Sequence, residues 1–239
     1  MTNTLGIMQP YFFPYLGYFQ LIASVEQGII FDIVKYKRKS WMNRNRMLDG
    51  KGGWQYMTVP VKAYDGMLIK DAEVIDHATS LRRIRGQLEH YHDKAPFYRQ
   101  ALQLVELTFD SVRSKSIGEL SARSLEVVCN YLGMEFNWTT CSEMKLDLPP
   151  IQHAGQWALE ISSLMGARRY INAPGGREIL IPREWEDRGI ELRFLQPEPL
   201  QYPTAPYSFV ENLSILDVLM WNEPEVVAQY IRHNTVCVV

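Results

Sequence analysis

The sequence predicts an α/β fold built on a Rossmann-like parallel sheet with a helical insertion, and three observations carry that prediction. The chain opens strand, helix, strand between Thr4 and Asp32, the start of a right-handed parallel crossover. Its middle third shows helical periodicity with little strand signal. Short apolar runs alternate with helix-like segments again from Thr139 to Leu195.

The opening stretch GIMQPYFFPYLGYFQLI, Gly6 to Ile22, organises the rest. Thr4–Met8 reads as a buried strand and Tyr15–Ser24 as a helix with Leu16, Phe19 and Ala23 on one face. Pro10 and Pro14 stiffen the intervening loop. A strand that delivers the chain to a helix N-terminus also delivers unpaired N–H groups, which suit phosphate or carboxylate. The crowd of aromatics either fills the core or lines a ligand site. In the second case Tyr11, Tyr15 and Tyr18 are binding candidates, and Gln9, the strongly polar side chain before the helix, is a catalytic one. Gly28–Asp32 is a second apolar run, and Asp32 sits at a strand's carboxyl end, where such folds gather ligands.

Lys35–Arg46, KYKRKSWMNRNR, is rich in cations and holds no acid. It reads as a solvated basic loop or as a grip for a phosphorylated, nucleotide-bearing ligand. Arginine binds phosphate bidentately and aromatic rings cover a base or sugar face. The second reading makes Lys35, Tyr36, Arg38, Trp41, Asn43, Arg44 and Arg46 binding candidates. Trp54–Val61 alternates like a strand, and Met67–Val74 is a short strand or a loop.

Leu81, Ile84, Leu88 and Tyr91 recur at helical spacing, predicting a helix over Thr79–His92 with Arg82, Arg83 and Arg85 outward. His90 and His92 close it as cap or surface residues; if one histidine does acid or base work, the candidate is His90. A further helix is predicted over Ala95–Phe109, opened by Pro96. Another runs to Gly133, with Ser116 and Glu119 at capping-box spacing. The helical insertion covers about residues 78–133 of a single domain spanning 1–239.

Thr139–Met144 is compatible with strand, and a helix carries Trp157, Ile161 and Leu164. In Arg169–Ile181, RYINAPGGREILI, a strand ends in Asn172 before a glycine turn. That turn is a plain hairpin or a close backbone approach to ligand at Gly175 and Gly176, with Asn172 as a catalytic candidate. It lacks the spacing of a dinucleotide or P-loop motif. Pro182–Arg188 reads as helix and Ile190–Leu195 as strand. Gln201–Pro206 reads as an ordered loop that contributes Tyr202 to the binding candidates. Ser214 is predicted to cap a helix with Asp217 at the reciprocal position. Thr235–Val239 reads as a frayed tail or an oligomer contact.

A net charge of −2 with 22% charged residues argues against a protein that grips nucleic acid chiefly through phosphates. No secretory signal and no long apolar span is present, so a cytoplasmic protein is expected. Cys129, Cys141 and Cys237 have neither disulfide-framework nor zinc spacing, and no metal site is expected.

Taken in order, QPYFFPYLGYFQLI, WMNRNRM, YMTVPV, KAPFY, YINAPGG and NLSILDVL span nearly the whole chain and resemble the WbqC-like family. Members tend to occur in bacterial gene sets for O-antigen and other surface polysaccharides. The resemblance implies transfer of an acyl or aminoacyl group to a nucleotide-linked amino sugar. The activated donor would be carrier-bound, or an amino acid plus ATP. Tyr15-Leu16-Gly17-Tyr18 also stands where HxGH nucleotidyltransferases carry their signature, which implies a HUP-like fold. Tyrosines replace both histidines. An ATP-dependent ligase or nucleotidyltransferase, and a non-catalytic binding protein of a polysaccharide pathway, are the alternatives.

Overall fold

The computed structural model describes residues 3–238. The chain begins with β1 (Thr4–Met8), α1 (Leu16–Ala23) and β2 (Gln27–Ile30). A hairpin follows, β3 (Arg44–Leu48) with β4 (Trp54–Thr58), then the short pair β5 (Val61–Lys62) and β6 (Glu73–Val74). Next come α2 (His77–Leu88), α3 (Tyr98–Ser111) and α4 (Ile117–Tyr131). The chain then returns through β7 (Trp138–Thr140), α5 (Cys141–Met144), α6 (Gln156–Leu164) and β8 (Arg169–Asn172). It ends with α7 (Pro182–Asp187), β9 (Glu191–Pro197), α8 (Ile215–Trp221), α9 (Pro224–His233) and β10 (Thr235–Val238).

The main sheet runs β10-β9-β8-β1-β2-β7. All its pairings are parallel except β10 against β9. This is a Rossmann-like α/β fold. The chain winds outward from β1 through β2 to β7, then crosses back to β8 on the other side of β1. The crevice outside the carboxyl ends of β1 and β8 is therefore the topological switch point, where open parallel sheets bind their ligands.

The strands lie between two apolar layers, so their side chains alternate between two cores at a period of two. Leu5, Ile7 and Ile29 pack with Leu159, Ile161, Tyr170 and Trp185 under α6 and α7. Met8 and Ile30 join the larger core with α1, α8, α9 and the helices α2–α4. Gly28 of β2 carries the ring of Trp138 on its face, where a β-carbon would lie 2.0 Å from the indole. No other residue leaves room for that stack.

Several sequence expectations change. Trp54–Val61 is not one strand, because the chain turns at Pro60 and β5 leaves for a separate two-stranded sheet with β6. Arg44–Leu48 is a strand rather than loop, since Asn45 and Met47 bury on one face of it. Thr139–Met144 splits into the end of β7 and α5, whose first turn is capped by a carboxylate, as described below. The helix expected from Ala95 begins at Tyr98, after a turn. Asp217 does not complete a capping box: Ser214 caps α8 through Leu216 N, while Asp217 turns into the core. The segment read as a frayed tail is the edge strand β10 as far as Val238, paired to β9, and Val239 lies outside the described residues.

Candidate functional site

The opening loop divides its aromatics between two jobs. Phe12, Phe13 and Phe19 are fully buried, each contributing about 1.5–3 kcal/mol of apolar burial. Tyr11, Tyr15 and Tyr18 are half-buried. Phe13 adopts a positive φ of 40°, a conformation that costs a bulky residue about 1–3 kcal/mol. Three side chains hold it there. Its N–H donates to Ser124 Oγ at 3.1 Å, and its carbonyl accepts from Asn45 Nδ2 at 2.9 Å and Ser214 Oγ at 2.7 Å. Trp41 O accepts from Phe12 N at 3.0 Å. The basic segment is thus tied to the opening loop by backbone and amide bonds.

Among the described residues, two cavities large enough for a small ligand open on this loop. The first occupies the switch point and encloses about 510 Å³, within the range of small-ligand sites. Its walls bring together Gln9 after β1, Asn172 at the end of β8, Tyr11 and Tyr18, Lys35, and Gly175 with Gly176. Trp157, Phe31 and Tyr170 supply further apolar surface. Lys35 is the one charged residue of that lining.

Asn172 is oriented. Tyr170 Oη donates to its Oδ1 at 3.2 Å, which leaves the amide Nδ2 as its donor end. Gly176 makes room for it, since a β-carbon there would lie 1.6 Å from Asn172 Nδ2. Pro174–Gly176 form a single 3₁₀ turn leading to α7 and the parallel strand β9, so this turn does not close a hairpin.

The three tyrosines form a contiguous set. Tyr11 stacks on Tyr18 with centroids 5.0 Å apart, and Tyr15 meets Tyr18 edge-on at 6.0 Å. Burial raises all three phenols above their ordinary value. They are neutral hydrogen-bond donors at physiological pH and do not serve as bases.

The second cavity encloses about 460 Å³. It is lined by Tyr11, Tyr15 and Gly17 from the opening stretch and by Trp41, Asn45 and Arg46 from the basic segment. Tyr11 and Gly17 line both cavities, so the two adjoin.

Other candidates lie elsewhere. Arg38 and Arg44 reach backbone carbonyls of Ala63 and Lys39, and Arg44 lies 4.0 Å over the Tyr56 ring. Tyr36 is buried with its N–H on Met67 O, and Asn43 is buried with its amide on Val59 O. Asp32 is buried and accepts from Ser142 N at 3.0 Å and Ser142 Oγ at 2.5 Å, capping α5 beside a separate polar depression. Tyr202 is buried and donates to Asp217. His90 packs against Tyr91 and Tyr207, with Nδ1 on Gln87 O at 2.8 Å, and lines neither cavity. Burial lowers its pKa, so it stays neutral. Cys129 and Cys141 are buried, and burial pushes their thiols up to about 12 and about 11, outside nucleophilic range at neutral pH.

Sequence reading missed Gln20, Glu198 and Asn212, which line the second cavity, and Trp157, which lines the first. A signal existed for Gln20, the one strongly polar residue of the apolar helix LGYFQLIA.

The chain is a Rossmann-like α/β protein with a candidate site at its switch point, and sequence comparison gives its family. The profile of the WbqC-like protein family matches residues 9–229, and the chain belongs to that family. It is also similar to the uncharacterized protein Rv1507c of Mycobacterium tuberculosis (strain ATCC 25618 / H37Rv), at 24% identity over 231 residues. That alignment covers 96% of this chain and 97% of the relative. No solved structure matches significantly. Among the described residues no helix is long and apolar enough to cross a membrane.

Proposed function

We propose that the protein transfers an acyl or aminoacyl group to the amine of a nucleotide-linked amino sugar in bacterial surface polysaccharide synthesis, with the switch-point cavity as the reaction site. One observation carries this reading. Gln9 and Asn172 line one cavity from the carboxyl ends of adjacent parallel strands, and Asn172, its Oδ1 taken by Tyr170, has the amide Nδ2 as its donor end.

Attack of a neutral amine on an activated carbonyl forms a C–N bond and places negative charge on the carbonyl oxygen. Asn172 Nδ2 is the donor for that oxygen, and positioned donors of this kind supply most of the stabilisation such a step needs. Collapse breaks the bond to the leaving group, which departs with the electron pair and takes up the proton released by the amine. No protein nucleophile enters the scheme. Gln9 Oε1 accepts from the incoming amine and aims its lone pair. Lys35, exposed at the rim, faces the diphosphate or the donor's phosphate. Tyr11 and Tyr18 cover the apolar face of the ligand.

Thermal denaturation distinguishes this from the alternatives. A nucleoside-diphosphate amino sugar at a hundred times its dissociation constant is expected to stabilise the fold by about 2.7 kcal/mol, while ATP with magnesium gives no shift. Stabilisation by ATP with magnesium alone would instead support a ligase. Stabilisation by neither would support a non-catalytic role.

A further inference from the structure

We infer that the second cavity, between Tyr15 and Trp41, is a saccharide subsite that holds the ring of the acceptor amino sugar. This inference rests on the transferase reading for the identity of the ligand, and on the cavity's own chemistry for its class.

The walls are flat and apolar where a pyranose presents C–H groups. Trp41, Tyr11 and Tyr15 stand with Pro14, Pro197 and Pro199 around the space. Trp41 keeps 37% of its surface exposed, so part of its ring is open to a ligand. Arg46 lies 5.7 Å from its centroid and 5.2 Å from that of Trp54.

Two buried polar atoms in this lining have no partner. Gln20 is 0% exposed; its Nε2 donates to Asn234 O at 2.9 Å, but its Oε1 has no hydrogen bond. Arg46 donates from Nη2 to Asn212 O at 3.1 Å, but its Nε is buried and unpaired. A buried acceptor and a buried donor left unmade are costly and rare, but neither atom is open to the cavity, so its ligand is read from the groups that are.

A hydroxyl group can donate to the Glu198 carboxylate and accept from the Arg46 guanidinium, two groups that line this cavity. An ionised phosphate has no proton for the carboxylate, and Glu198 repels it. A bare ammonium cannot accept from the arginine. The pairing therefore selects a neutral, hydroxyl-bearing ring over a polyphosphate. Because Tyr11 and Gly17 line both cavities, a ring seated here borders the chamber that holds Gln9 and Asn172. Its amine is the substituent directed across that partition, while the nucleotide extends outward.

The test uses saturation-transfer NMR on the full chain with methyl glycosides of 2-, 3- and 4-amino-deoxyhexoses, and with uridine as a separate probe. At least one glycoside is expected to receive saturation at its ring C–H protons. Trp41→Ala should weaken that binding about tenfold, with Trp41→Phe restoring most of it. Trp41 is partly exposed, so both variants should fold, and coincident thermal midpoints check this. The subsite is overturned if no glycoside binds, if Trp41→Ala binds equally well, or if uridine is the probe whose binding depends on Trp41. Trp41-dependent glycoside binding without acylation of any nucleotide-linked amino sugar leaves the subsite standing and removes the transferase reading. Acylation with an unchanged KM in Trp41→Ala does the reverse.

Discussion

Asp217→Ala is expected to lower the unfolding free energy by about 3–5 kcal/mol, read from urea denaturation midpoints. Asp217 is 1% exposed. Its carboxylate accepts from Tyr91 Oη at 2.5 Å and Tyr202 Oη at 2.8 Å, and Leu48 N donates to Tyr91 Oη at 3.0 Å. This cluster joins the end of β3, the turn after α2, the loop before α8 and α8 itself. Alanine leaves two buried hydroxyls without their acceptor. Burial raises the Asp217 pKa, and the hydrogen bonds from Tyr91, Tyr202 and Leu48 pull it back only in part. An acid whose folded pKa is raised costs stability once it ionises. That cost is absent below its unfolded pKa, about 3.9, grows as pH rises through the folded value, and is complete above it. Asp217→Asn cannot ionise, so the wild type's advantage over it should be larger near pH 4 than near pH 7. A difference that does not vary with pH would mean that Asp217 is not perturbed.

Asn172→Ala is expected to reduce kcat for amide formation by about 10²–10³-fold, the usual effect of removing one oxyanion donor. The same change also takes the acceptor from the buried Tyr170 hydroxyl, which stacks on Trp185 with centroids 4.6 Å apart. That loss costs about 1–2 kcal/mol of stability and would blur the result. Asn172→Asp separates the two effects. A carboxylate still accepts from Tyr170 Oη but has no donor to offer, so the fold should hold while kcat falls as far as in the alanine variant. An aspartate variant that keeps near-normal turnover would show that Asn172 acts through packing alone.

The central sheet was legible because its strands are buried on both faces. TLGIM and GII read as continuous apolar runs, and the helix between them fixes the crossover. The start of α4 also followed from Ser116, whereas apolar spacing predicts Thr79–His92 for α2, which runs His77–Leu88, with Glu89–Tyr91 a 3₁₀ turn after it. Local pattern failed where a long-range partner decides the outcome. β10 looks like a tail until β9 is beside it. Asp217 has the spacing of a capping residue, yet two tyrosines from distant segments draw it into the core. In the candidate site, Gln9, Tyr11, Tyr18, Lys35 and Asn172 fall at the ends or edges of predicted elements, where parallel folds gather ligands. The basic segment did not act as one patch. Only a folded hairpin reveals that Arg46 lines a cavity while Arg44 lies on Tyr56 and Arg38 bonds Ala63. The split of the opening aromatics into three core phenylalanines and three half-buried tyrosines has a simple origin. The tyrosines need somewhere for their hydroxyls, and the cavity side provides it.

The central claim is that the amine of a nucleotide-linked amino sugar is presented to the amides at the carboxyl ends of β1 and β8. A crystal structure with such a sugar bound tests it most directly. The sugar nitrogen is expected within hydrogen-bond reach of Gln9 and beside Asn172, with the ring against Trp41. A ligand seated instead in the depression by Asp32, or with its nitrogen turned to solvent, would contradict it.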